Sequence, residues 1–355
     1  MVYFTKHPSR CKEKIVCISH IYGLLSVNAS TLFIEDKGLS SMKRIAIIVN
    51  PLSGNGRGSN IWREIETELV RCAVSYELAM TTKPGDASRQ ATAYAREQAF
   101  DLLLVIGGDG TVHEAANGLL LSGAAEQQLR LGVIPAGTGN DFAKAYGVPR
   151  QPLEALYLAL HGRGEAVIDV LALGGGARVA VNSFGAGFDG MVAKVTNEAG
   201  YKKRLARFGL GRLAYLLSIL RVFATYQPQA ARLEVDGLVH ELPHMWLCAI
   251  ANIPYYGGAI QICPSASPTD GLADVVVIQS RSRLRLLPVL LTVYQGKHTT
   301  HPAVTFYQGT AIKLSAGEPL LLQADGEIVG TTPLDVHVLP GTLRVCCAEG
   351  AAKTK

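Results

Sequence analysis

Residues 102–111 read Leu102-Leu-Leu-Val-Ile-Gly-Gly-Asp-Gly-Thr111, an apolar run that breaks into glycines and leads into a helical pattern. An apolar run ended by glycine is a buried strand and its turn. Gly107, Gly108 and Gly110 let the backbone approach a polyanion, and the N-terminus of the following helix favours negative charge. Thr111 and Glu114 read as the capping box of that helix. Asp109 is the odd member. A carboxylate among phosphate-cradling glycines repels its ligand unless a divalent cation lies between them, which makes the segment a candidate Mg-nucleotide site. A strand-to-helix turn with a solvated aspartate explains the same residues unless the context agrees.

Two further strands end in the same way. Ile45 to Val49 runs into Asn50-Pro51-Leu52-Ser53-Gly54-Asn55-Gly56-Arg57-Gly58 and then a helical pattern from Ile61 to Val70. Leu131 to Ile134 runs into Pro135-Ala136-Gly137-Thr138-Gly139-Asn140-Asp141-Phe142-Ala143. Open α/β sheets bind ligands at the carboxyl ends of their strands, so three such loops make a site. None carries the lysine of a Walker A loop, which disfavours that class.

From Lys43 to about Glu165 apolar strands alternate with helical patterns at Ala87 to Gln98 and Leu153 to Leu160, the signature of a parallel sheet covered on both faces. After Glu165 strands follow one another: Val167 to Leu173, Arg178 to Asn182, Arg232 to Asp236, Leu247 to Ile253, Ala273 to Gln279, Ala303 to Tyr307, Ala311 to Ser315, Leu320 to Ala324 and Asp335 to Leu339. Asp236-Gly237 is a hairpin signal. The expected fold is therefore α/β plus all-β, with a Rossmann-like nucleotide domain at 43–165, a β-sandwich at 166–341, and a strand at 342–347 that can return to the first domain. Gly185-Ala-Gly187-Phe-Asp-Gly190 has dinucleotide-fingerprint spacing but lacks the downstream acid and the βαβ unit, and reads as a close-packed turn. Asn182 and Asp189 beside it are candidates to face the cleft between the domains.

The three loops in this order closely resemble the catalytic domain of diacylglycerol kinases and related bacterial lipid kinases, with sphingosine kinases as cousins. The likeness runs from about Lys43 to Val345. It implies ATP contacts at Asn50, Pro51, Leu52, Ser53, Gly54, Thr81, Gly107, Gly108, Asp109, Gly110, Thr111, Val112, His113 and Thr138. Asp109 would hold catalytic Mg, directly or through water. His113 stands where many relatives have Asn. Asp325-Gly326-Glu327 matches the family's motif and implies Glu327 as the general base, with Asp325 next in line; the same residues make an ordinary hairpin turn. Pro264 to Leu272 resembles a second, structural Mg site, with the Ser267 and Leu272 carbonyls and the Asp270 carboxylate as ligands; an aspartate-glycine turn is the competing reading. The implied reaction is transfer of the γ-phosphoryl group of ATP to a lipid hydroxyl, foremost that of diacylglycerol. A nucleotide kinase of the NAD kinase type is opposed by the asparagine-proline loop and the Gly137-Thr-Gly-Asn-Asp motif. A noncatalytic nucleotide or lipid sensor has no need of both Asp109 and Glu327.

Composition agrees with a globular protein: 48% hydrophobic and 18% charged residues over 355, with a net charge of +5. No apolar run approaches the roughly 20 residues of a membrane span, so a lipid kinase must visit the bilayer. Lys202, Lys203, Arg204, Arg207, Arg212 and Arg221 stand between Tyr201 and Thr225 without an acidic residue and are interleaved with leucines. That pattern fits a helix on anionic lipid, and equally a core helix with a solvated face. Arg281, Arg283 and Arg285 are open to the same two readings. Phe184, Phe188 and the helix from Leu205 are candidates to accept acyl chains. Low total charge and the lack of a recognised motif argue against nucleic acid, and a homodimer is left open. Seven scattered cysteines without zinc spacing fit a reduced cytoplasm, with work at the inner membrane face. Residues 1–42 read as a loosely attached leader or a misassigned start, since Met42-Lys43-Arg44 stands just before the first strand.

Overall fold

The computed structural model describes residues 44–123, 129–162, 164–176, 178–198, 211–258 and 260–351, and of 211–215 the backbone alone. The expected leader and most of the basic stretch after Tyr201 lie outside these residues.

Strands β1 (Ile45–Val49), β2 (Tyr76–Met80), β3 (Leu102–Gly107) and β4 (Arg130–Pro135) form a parallel sheet in the order β4-β3-β1-β2. Every side chain of β1 and β3 is buried, as continuous apolar runs require when both sheet faces are covered. The edge strand β2 is only half buried. Helices α1 (Ser53–Arg71), α2 (Asp86–Glu97), α3 (Asp109–Leu120), α4 (Asp141–Ala145) and α5 (Pro152–His161) complete this part.

The second part is antiparallel. Its strands are β5 (Glu165–Leu173), β6 (Arg178–Ala180), β7 (Ser183–Gly187), β8 (Gln229–Val235), β9 (Leu238–Ala251), β10 (Ala273–Gln279), β11 (Val304–Gly309), β12 (Ala311–Ala316), β13 (Leu321–Ala324), β14 (Glu327–Thr331) and β15 (Leu334–Cys346). They build a β-sandwich around Leu171, Phe184, Leu233, Ile250, Val275 and Leu314. Phe184 is thus a core residue and cannot line an acyl site. Helices α6 (Phe188–Glu198), α7 (Gly211–Thr225) and α8 (Leu287–Thr292) lie over a further apolar cluster that includes Val192, Ile219, Trp246 and Val289. Asp236 and Gly237, both at positive φ, turn β8 into β9. The long β15 pairs antiparallel with β5 and β12, then meets β4 in parallel at Val345 and Leu131, so one hydrogen-bonded sheet runs through both parts.

Gly185-Ala-Gly187 is strand β7 and leads into α6. A Cβ at Gly185 would lie 1.7 Å from the Asp189 carboxylate, and one at Gly190 would lie 2.3 Å from the Leu321 carbonyl oxygen. These glycines answer to packing within the second part.

Candidate active site

The loops after β1, β3 and β4 meet because their backbones touch. Gly54 has φ +58°, and a Cβ there would stand 2.1 Å from the Ala136 carbonyl oxygen. A Cβ on Gly137 would stand 2.6 Å from Gly108 Cα. Asn50 Nδ2 donates to Thr111 Oγ1 at 3.0 Å, tying the first loop to the second. Phe142 N donates to Asp109 Oδ1 at 3.1 Å, tying the second to the third. Asn140 clasps Gly137 through both amide atoms, accepting from its N–H and donating to its carbonyl at 2.9 and 2.8 Å. Gly54, Asn55 and Gly56 are all left-handed. Left-handed residues following right-handed ones form concave arrays of N–H groups that suit anions.

One expectation fails here. Helix α3 begins at Asp109, with Gly108 as its N-cap and no side-chain cap bond, so Thr111 and Glu114 make no capping box. Thr111 serves Asn50 instead. Glu114 reaches sideways, accepting from Gly85 N at 2.9 Å and Ala87 N at 3.1 Å, and so caps α2. Among the other residues assigned to ATP, Thr81 is buried and bonded through its N–H to Val49 O, beside the first loop. Leu52 is exposed, whereas Val112 is buried in the first core.

Across the cleft stands the β13–β14 hairpin. Asp325 and Gly326 are both at positive φ, which makes the tight turn. Asp325 accepts from the main-chain N–H groups of Val181, Asn182 and Ser183 at 2.9–3.0 Å and from His113 Nδ1 at 2.8 Å. Such a carboxylate is an anchor, committed to binding its own chain. Glu327 is exposed and lies over the start of α3, its Oε1 3.5 Å from where a Gly110 Cβ would be. The hairpin-turn and base readings of Asp325-Gly326-Glu327 are therefore compatible: the first residue fixes the turn that presents the third.

Asp109, Thr138, Asp141, Asn182, Asp189, Gly258, Asp325 and Glu327 line one cleft of about 360 Å³ between the two parts. Burial first, and then the charge of Asp141, push the Asp109 carboxyl upward. A Cβ on Gly139 would lie 2.9 Å from Asp109 Oδ2 and crowd that oxygen. Asp141 accepts from Gly258 N at 2.7 Å, which brings the 256–258 loop to the cleft. Asp109 and Asp141, whose charges act on each other, offer oxygen donors of the kind a hard divalent cation takes. Among the described residues no cluster of three or more His, Cys, Asp or Glu is placed to hold a metal ion.

The loop at Pro264 to Leu272 is a different matter. Asp270 Oδ1 accepts from Leu272 N at 3.0 Å in a local turn, and Asp169 holds Gly271 N at 2.7 Å. Ser267 Oγ lies 3.5 Å from Thr269 Oγ1. These bonds account for the turn by themselves.

Sequence reasoning did not single out the roles of Asp141, Gln323 and Tyr256. Asp141 ends the Gly137-Thr-Gly-Asn-Asp motif, but nothing in that spacing says that it holds Gly258. Gln323 donates to Asp189 at 2.7 Å and accepts from Gly326 N at 2.6 Å, a brace between sheet and turn that no local pattern reveals. Asp189, fully enclosed and pushed up to about 6 by burial, lines the cleft and also a second, apolar pocket. Tyr256 and Tyr294 are likewise shared by both cavities. The apolar pocket continues along Phe188, Val192, Ile219, Phe223 and Val289.

Residues 44–172 match the diacylglycerol kinase catalytic domain, and residues 182–347 match the YegS C-terminal NAD kinase beta sandwich-like domain. A Bacillus subtilis protein named as a candidate lipid kinase, YtlR, is 30% identical over 306 residues, covering 84% of this chain and 97% of the relative. A diacylglycerol kinase of Staphylococcus aureus (strain MRSA252) is 30% identical over 296 residues, 82% of this chain and 88% of the relative. A crystal structure of a diacylglycerol kinase from Bacillus anthracis superimposes with a TM-score of 0.67 at 23% identity, over 88% of this chain and 99% of that one, and shows the shared fold. The chain belongs to the diacylglycerol kinase family of lipid kinases. No helix among the described residues is long and apolar enough to cross a membrane.

Proposed function

We propose that the protein transfers the γ-phosphoryl group of ATP to a lipid hydroxyl, foremost that of diacylglycerol, at the surface of a membrane. The observation that carries this is the joining of two cavities of opposite character. The carboxylate-lined cleft beneath the second and third glycine loops meets the apolar pocket at Asp189, Tyr256 and Tyr294. An acceptor with a hydroxyl head and acyl tails fits that junction; a dinucleotide does not need the apolar half.

In this reading the loops 50–54, 107–113 and 137–139 bind and orient the nucleotide phosphates, and Asp109 holds Mg. The ion supplies charge neutralisation on the phosphoryl oxygens. Glu327 takes the proton of the acceptor hydroxyl, its carboxylate standing over the first turn of α3 from the opposite wall. Asp325 fixes the turn that places it. Asp189 receives the polar head of the acceptor. The loop at Ser267, Asp270 and Leu272 is assigned to a second Mg by the family resemblance alone.

The test is phosphate transfer from labelled ATP in mixed micelles to diacylglycerol, monoacylglycerol, a sphingoid base and phosphatidylglycerol, with NAD alongside. Transfer to diacylglycerol above the others supports the reading. Transfer to NAD alone overturns the acceptor.

A further inference from the structure

The apolar pocket is walled by two elements that also turn apolar side chains outward. In the segment 281–294, Leu286, Val289 and Val293 are buried against the pocket, while Leu284 and Leu291 are 74% and 76% exposed. Leu287 and Tyr294 are exposed beside them. In α7, Ile219 faces the pocket and its neighbours Leu216, Leu217 and Leu220 are exposed. The two elements are fastened together: the Arg283 guanidinium donates to the Tyr226 carbonyl just past α7 at 2.9 Å and lies 5.8 Å from the Trp246 ring centroid. Leucines scattered singly over a surface need no explanation, but this patch frames the pocket.

Charge names the occupant. No acidic residue occurs from Val275 to Gly317 or from Ala199 to Leu233 in the sequence, whereas Arg281, Arg285 and Arg221 are exposed on these two elements. Paired with the same face of a second copy, these arginines would stand against one another. An anionic bilayer attracts them, and it accepts leucines between the arginines.

We propose that the outer face of α7 and the 281–294 segment is a docking surface for anionic lipid bilayers, and that it seats the apolar pocket against the membrane. The inference rests on the lipid-kinase reading for the direction in which an acceptor enters. Binding of the face itself does not require turnover.

The experiment is flotation of the full chain, without nucleotide, on vesicles of phosphatidylglycerol and phosphatidylcholine in equal parts and on phosphatidylcholine alone. The wild type floats with the anionic vesicles. The double variant Leu284→Asp, Leu291→Asp loses that binding roughly tenfold or more, as does Arg281→Glu with Arg285→Glu. Leu238→Asp, at a leucine 70% exposed on the β8–β9 turn, leaves it unchanged. Phosphorylation of monomeric dihexanoylglycerol is unaffected by the leucine pair, which line neither cavity, and this controls for folding. The proposal is overturned if the wild type ignores anionic vesicles or if the leucine pair binds as well as wild type. It is also overturned if the leucine pair only converts a dimer to a monomer in light scattering, since the patch then belongs to a second copy. A wild type that binds vesicles yet phosphorylates no lipid leaves the surface standing and removes the kinase reading.

Discussion

His113 Nδ1 lies 2.8 Å from Asp325 Oδ2, and this bond joins the helix behind the Gly107–Thr111 loop to the turn that presents Glu327. The position is therefore a strut between the two walls of the cleft. Asn117, one turn further along α3, extends it by donating to Val179 O and accepting from Val179 N, both at 2.9 Å.

Burial alone pushes the His113 imidazole down, but the hydrogen bond and charge of Asp325, with Glu327 and Glu114, outweigh it and hold the group above its ordinary value. A histidine raised in the folded state contributes stability that is full below its unfolded value of about 6.5 and declines as pH rises through the folded value. His113→Ala should therefore cost about 1–3 kcal/mol near pH 6 and less at pH 9. Thermal unfolding of both proteins at the two pH values checks the sign; a penalty that grows with pH contradicts it.

Asp325 and Glu327 separate by stability. Asp325→Asn turns an amide toward main-chain donors and leaves at least one of them unpaired, a cost of about 2 kcal/mol or more. Glu327→Gln alters an exposed side chain and should stay within about 0.5 kcal/mol. Denaturant midpoints of the two variants measured side by side give the comparison; equal losses would return Asp325 and Glu327 to one role.

Much of this frame was legible. Leu102 to Ile106 and Ile45 to Val49 declare themselves because a strand buried on both faces has no polar residue to spare. Asp236-Gly237 declares a hairpin because both positions take positive φ. The Thr111 and Glu114 spacing misled because Asp109 already occupies the first helical position, so the pair lies a turn too late to cap its own helix. Strand β14 went unseen because Glu327 to Thr331 is half to wholly exposed and carries no alternation. The place of Asp189 between two cavities is a product of packing across β7, β13 and α6, which no linear spacing encodes.

Asp109 is pushed up by burial first and by Asp141 second. A carboxylate raised in the folded state destabilises it progressively as pH rises from the unfolded value of about 3.9 through the folded one. In EDTA at pH 8, Asp109→Asn should raise the melting temperature by about 2–4 °C, and the gain should vanish near pH 4. Mg with a nonhydrolysable ATP analogue should stabilise the wild type and not the variant. A variant less stable than wild type at pH 8 would sink the argument.

Gly54 and Gly56 share positive φ, so alanine is strained at either. Only at Gly54 does the new methyl meet the Ala136 oxygen, at 2.1 Å, while Gly56 has nothing within 4 Å. Backbone strain of about 1–2 kcal/mol is common to both. Gly54→Ala should lose more stability and more nucleotide affinity than Gly56→Ala, as read by thermal shift with ATP; equal effects would mean that the two loops do not touch in solution.

The most direct measurement is the steady-state kinetics of diacylglycerol phosphorylation by wild type and Glu327→Gln at varied ATP. With Glu327 as base at a nucleotide site built by the opposite wall, kcat falls by roughly 10² to 10⁴ while the KM for ATP stays near wild type. Undiminished turnover in Glu327→Gln, or a loss confined to the KM for ATP, contradicts a cleft that assembles its reaction from both walls.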